Sequence, residues 1–267
     1  MGIQIETVKT ETFSMDFFRF GQGEKILVIL PGVSVQSVMA FASFVARDYK
    51  ILADDYTIYV FDRRKNLPDS YPICEMARDT LEALKVLNLA PVSLFGASQG
   101  GMIAMTMAIL QPSVVEKLIL GSTSARIEAE KNQGAEEWIR LAKAGMKKEL
   151  YLAFGKAVYP QDIYEKSRDL LAKAAKSITD EELERFIIQV EGLRGFDVVD
   201  DLDQITCPVL VIGSMDDQVL GPDASFEIAR HLKTRKGLLL QMYDGYGHAV
   251  YDTAPDYKER ILSFLQG

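Results

Sequence analysis

Val92-Ser93-Leu94-Phe95-Gly96-Ala97-Ser98-Gln99-Gly100-Gly101 carries an apolar, strand-forming run into Gly-x-Ser-x-Gly, and Met102-Ile103-Ala104-Met105 continues as a helix former. The pattern reads as strand, sharp turn and helix, with one hydroxyl at the apex. Glycine is needed at Gly96 and Gly100 because side chains there would collide with the neighbouring strand and helix. The N-terminus of the following helix then stands behind the hydroxyl, ready to stabilise negative charge. A bare Gly-x-Ser-x-Gly recurs by chance in chains of ordinary composition. Its strand–turn–helix setting is what favours a catalytic Ser98 over a structural one.

On either side of this stretch, strands and helices alternate. Loose alternation over 3–9 and 12–20 predicts an antiparallel hairpin. Lys25 to Leu30 is a continuous apolar run, expected of a strand buried on both faces, and it stops at Pro31-Gly32-Val33-Ser34. Val38, Phe41, Phe44 and Val45 then recur at helical spacing. Thr57 to Phe61 predicts the next strand, Asp62 to Asn66 a polar loop, and 73–88 a helix. After the serine turn come strands at Glu116–Leu120, Cys207–Gly213 and Leu238–Tyr243, with helices opening near Pro222 and after Pro255. Such alternation argues for an α/β protein, a mostly parallel sheet wrapped by helices through right-handed crossovers.

Residues 123–200 break the pattern. Strand-like runs vanish, and Lys, Glu and Ala surround Trp138, Tyr151, Phe154 and Tyr159. Thr179-Asp180-Glu181-Glu182 has the form of a capping box. The block is expected to be a helical insertion that leaves the carboxyl edge of the sheet and covers Ser98 as a cap. Trp138, Tyr151, Phe154 and Tyr159 would line a substrate site or pack a small core of their own. The remainder, 1–122 and 201–267, forms one core.

Thirty basic against thirty-eight acidic side chains give a formal charge of −8, and no basic stripe exists, so nucleic acid is not the expected partner. No apolar run reaches the roughly 20 residues that span a bilayer, and no secretory signal is recognisable, so no membrane partner is expected and the cytoplasm is the expected location. Cys74 and Cys207 stand far apart, as thiols of a reducing compartment would. Two histidines and these cysteines cannot make a conventional catalytic zinc site, and no dinucleotide fingerprint follows the first buried strand. Neither metal nor cofactor is expected. Oligomeric state is not legible.

A serine needs a base to take its proton. His231 falls within the predicted helix 224–233, beside Arg230 and Lys233, whereas His248 follows the last strand in Tyr246-Gly247-His248, at the same sheet edge as Ser98. His248 is therefore the expected base. The imidazole needs a carboxylate to fix its tautomer, and Asp216 and Asp217 both end the preceding strand. The order Ser, Asp, His separates one triad architecture from the two other common ones.

Together, Leu30-Pro31-Gly32-Val33, Gly96-Ala97-Ser98-Gln99-Gly100, Gly213-Ser214-Met215-Asp216-Asp217-Gln218-Val219 and Gly247-His248 resemble the motifs of the α/β-hydrolase fold superfamily along essentially the whole chain. The resemblance implies an eight-stranded sheet and an oxyanion hole formed by the N–H groups of Val33 and Gln99. It also implies a serine hydrolase acting on a small-molecule ester or thioester through an acyl-enzyme. Matching Asp-x-Val favours Asp217 as the acid, while counting Gly-x-x-Asp from Gly213 leaves Asp216 as the alternative. The sequence departs from many relatives at Pro31, where they carry His, and at Asp62-Arg63-Arg64-Lys65, which predicts a bulky basic rim where they carry a Gly-rich loop. A small-ligand sensor that keeps the triad, or a carbon–carbon bond hydrolase, would fit the same residues.

Overall fold

Leu27 and Ile29 face one side of their strand and Val28 and Leu30 the other, and all four are buried. A strand apolar on both faces requires helices on both faces, and the computed structural model, which describes residues 2–128, 133–233 and 237–267, has that arrangement. The strands are β1 (Ile5–Lys9), β2 (Ser14–Phe20), β3 (Lys25–Leu30), β4 (Tyr56–Arg64), β5 (Val92–Ala97), β6 (Val115–Gly121), β7 (Val209–Ser214) and β8 (Leu238–Tyr243). They form one sheet in the order β1-β2-β4-β3-β5-β6-β7-β8, antiparallel at β1-β2-β4 and parallel from β4 onward. Chain direction across the sheet reverses between β3 and β5. The crevice outside the carboxyl ends of two such strands is where open α/β sheets bind ligands. Pro31 to Ser34 and Ser98 both lie there.

On one face pack α2 (Ile73–Val86), α3 (Gln99–Leu110) and α8 (Pro222–Leu232); on the other, α1 (Ala42–Asp48), the short α9 (Val250–Thr253) and α10 (Tyr257–Gln266). Every residue of α3 from Gln99 to Ala108 is buried, which explains why the helix is apolar all round. Between β6 and β7 lie α4 (Gln133–Lys143), α5 (Lys147–Val158), α6 (Gln161–Ala174) and α7 (Asp180–Glu191). Thr179 caps α7 by the anticipated box, its hydroxyl accepting from Glu182 N–H while the Glu182 carboxylate accepts from Thr179 N–H. Where this block leaves and rejoins the sheet, a single antiparallel bridge pairs Arg126 with Asp197. Ile127 N–H donates to Phe196 O at 2.8 Å and Val198 N–H to Ala125 O at 2.8 Å. Among the described residues, no helix is long and apolar enough to cross a membrane.

Two expectations need correction. The segment from Val38 opens as a 3-10 turn over Val38–Phe41, capped by Ser37, before α1 begins. Strand β4 does not stop at Phe61 but continues through Arg64, because β2 pairs alongside it up to Met15 opposite Arg64. Arg63 is consequently a buried strand residue rather than part of a solvated rim.

Candidate active site

Ser98 stands at the turn between β5 and α3 with φ +52° and ψ −121°, a conformation that a residue with a Cβ rarely adopts. Packing holds it there. A Cβ on Gly96 would lie 2.2 Å from Gly100 O, and one on Gly100 would lie 2.0 Å from Leu30 O. The helix therefore starts in direct contact with the end of β3, an approach only glycine permits. Ser98 N–H donates to Gly121 O at 2.8 Å, pinning the turn to β6.

His248 follows β8 and is 2% exposed, yet both ring nitrogens have partners. Nδ1 is 2.8 Å from Asp217 Oδ2 and Nε2 is 3.0 Å from Ser98 Oγ. An ionised carboxylate can only accept, so Nδ1 carries the proton and Nε2 is left to accept from the Ser98 hydroxyl. Asp217 is fixed in turn, its Oδ1 accepting from the N–H groups of Val219 (2.8 Å) and Leu220 (3.0 Å). Burial pushes the Asp217 carboxyl upward, but the His248 charge and hydrogen bond, with those two N–H groups, outweigh it and hold the carboxyl below its ordinary value. The neighbouring Asp216 carboxylate instead accepts from Gly245 N–H. Of the two acids weighed from sequence, only Asp217 reaches the imidazole. His231 is exposed on α8.

Val33 and Gln99 flank the hydroxyl, and Gly32 is so close that a Cβ there would lie 3.1 Å from Ser98 Cβ. The Gln99 N–H is at the first position of α3, where no intrahelical acceptor exists. Among the described residues, neither it nor the Val33 N–H donates to a backbone or side-chain acceptor.

Ser98 opens into a cavity of about 80 Å³ walled by Val33, Met102, Trp138, Val219 and Leu220. Beyond Val33 runs a wider apolar groove of about 540 Å³, bounded by Phe41, Phe44, Phe154 and Tyr159. The expected aromatic lining is thus divided. Trp138 faces Ser98, Phe154 and Tyr159 face the groove, and the Tyr151 hydroxyl donates to Gln36 Oε1 at 3.1 Å. Among the described residues, no group of three or more His, Cys, Asp or Glu side chains is placed to hold a metal ion.

Sequence reading missed Arg63 and Gln189. The Arg63 Nη2 donates to Pro31 O at 2.8 Å and to Gln99 Oε1 at 3.0 Å, and Gln99 Nε2 donates to Gln189 O in α7 at 2.7 Å. A signal for Arg63 existed, since period-two alternation along Tyr59, Phe61 and Arg63 puts it on the buried face of β4. Nothing in the sequence marks Gln189, whose main-chain carbonyl is the acceptor.

A doubly wound sheet of this order, with a serine on the turn after β5, is the α/β-hydrolase fold. Within it, the chain belongs to the serine aminopeptidase S33 family of hydrolases, whose model matches residues 72–253. Among its relatives are two proteins provisionally named carbamate hydrolase RutD. That of Agrobacterium fabrum is 28% identical over 228 residues, covering 80% of this chain and 84% of the relative. That of Rhizobium rhizogenes is 28% identical over 240 residues, 84% of this chain and 88% of the relative. Similar solved structures include the α/β hydrolase MGS-M2 from a Medee basin deep-sea metagenome library, with TM-score 0.86, 20% identity and 98% of each chain covered. The esterase EaEST of Exiguobacterium antarcticum superposes with TM-score 0.80 at 22% identity over 100% of both chains.

Proposed function

We propose that the protein is a serine hydrolase that cleaves a small ester or thioester through an acyl-enzyme, with the helices of 123–200 acting as its cap. The observation that carries this reading is the hydrogen-bonded line Ser98–His248–Asp217, with two backbone N–H groups beside Ser98 that have no acceptor among the described residues. Ser98 Oγ attacks the carbonyl carbon while His248 Nε2 takes the hydroxyl proton. The carbonyl oxygen becomes an oxyanion and accepts from Val33 N–H and Gln99 N–H. Collapse breaks the bond to the leaving oxygen or sulfur, which takes the proton back from His248. Water then attacks the acyl-Ser98 ester with His248 again as base, releasing the acid and restoring the hydroxyl. Asp217 holds the Nδ1–H tautomer throughout and stabilises the imidazolium. The names of the RutD relatives support including carbamates among the acyl groups tried.

The test is labelling with a fluorophosphonate together with turnover of p-nitrophenyl esters of graded acyl length. Wild type should label and turn over, and Ser98→Ala should do neither. Equal turnover by Ser98→Ala would refute the mechanism. Labelling of wild type without ester turnover would favour a ligand sensor built on the same residues.

A further inference from the structure

Arg63 is 3% exposed, and among the described residues no carboxylate contacts its guanidinium as an ion pair. The neighbouring Asp62 carboxylate is engaged elsewhere, with the N–H of Arg63 itself, the hydroxyl of Ser37 and, at 3.7 Å, Arg185 of α7. Among the described residues, the direct acceptors of the guanidinium are two neutral oxygens, Pro31 O and Gln99 Oε1, and its buried Nε has none. A desolvated charge without a contact counter-ion costs stability, and a fold that keeps one needs a reason. Its surroundings suggest that reason. Pro31 precedes Val33 by two residues, and Gln99 is the residue whose backbone N–H opens α3. One guanidinium nitrogen therefore ties together the two segments that carry the candidate oxyanion donors. The Gln99 amide passes the tie on to Gln189 O in α7.

We propose that Arg63 is a positioning residue for the oxyanion site, fixing the separation of the Val33 and Gln99 N–H groups and placing a buried positive charge without a contact ion pair behind them. The inference rests on the serine-hydrolase reading above. Its force comes from timing. In the ground state the guanidinium touches only neutral oxygens, with the Asp62 carboxylate acting on it through space, whereas in the tetrahedral intermediate it also meets a full negative charge in a dry setting, where such preorganised fields act most strongly. A methionine at this position would leave Pro31 O and Gln99 Oε1 without their donor and remove the field.

The experiment compares p-nitrophenyl acetate with its thiono analogue, in which sulfur replaces the carbonyl oxygen and makes a larger, weaker hydrogen-bond acceptor. Wild type, Arg63→Met, Arg63→Lys, Gln99→Leu and Ser98→Ala are assayed. Arg63→Met should lower kcat on the ester by about 10–10²-fold, less than the roughly 10²–10³ for losing a donor outright. KM should stay within about threefold, and the ester-to-thionoester rate ratio should fall about tenfold, since only the ester used the hole fully. Arg63→Lys should recover part of the ratio. Gln99→Leu keeps its backbone N–H but cuts the tie, and should lower the ratio too; it carries the test if Arg63→Met does not fold. Equal losses on both substrates, or none, would overturn the positioning role and leave Arg63 a packing residue. If Ser98→Ala retains wild-type activity, the hydrolase reading fails instead, whatever the arginine variants do.

Discussion

Asp216 and Asp217 differ by one position, and that position decides which carboxylate orients the imidazole. Both types of motif matching were available from the residues alone, but the path of the turn after β7 was not. It is set when Asp217 Oδ1 takes the N–H groups of Val219 and Leu220, an arrangement that aims its other oxygen at His248. Asp217→Asn should lower kcat by about 10⁴, through the wrong tautomer, while Asp216→Asn stays within a few-fold of wild type in the same ester assay. Because the Asp217 carboxyl sits below its ordinary value, it stays charged down to a more acidic pH than a free aspartate would. The acid limb of kcat/KM should therefore fall with unit slope in a pH series, and a slope of two would mean a second group is protonating. The same depression stabilises the fold fully above the unfolded carboxyl value of about 4, and the contribution is lost as pH falls through the lower folded value.

Among elements, the strands with continuous apolar runs were legible because burial on both faces leaves no other composition possible. Where tertiary pairing extends an element, local reading stops short. Polar Asp62, Arg63 and Arg64 look like a loop, yet β2 recruits them into β4, and Arg63 finds its acceptors in segments more than thirty residues away in both directions. The start of α7 is the opposite case, since both halves of its cap lie within four residues. Thr179→Ala should cost about 1 kcal/mol by stranding the Glu182 N–H. For a chain of this size that shift corresponds to a Tm lower by about 2–4 °C in a thermal melt, with kcat unchanged.

At the scale of the whole molecule, the space above Ser98 depends on how four helices lean on the sheet, and no short-range pattern in the sequence encodes that. This is why four aromatics that look alike in the chain end in different places, Trp138 alone of them facing the hydroxyl. Trp138 forms one wall of the cavity of about 80 Å³ into which Ser98 opens. Trp138→Leu should enlarge it and raise the hexanoate-to-acetate ratio of kcat/KM at least about tenfold, read with the p-nitrophenyl series. The antiparallel bridge between Arg126 and Asp197 has a bearing on tolerance of change as well as on shape. It gathers the departing and returning chain at one junction, while Gln189 O, Arg185 and Tyr151 hold the helices beyond it to the core at other points. Because the two ends of the block pair with each other, a change of length between them can be absorbed without shifting the register of β6 on β7.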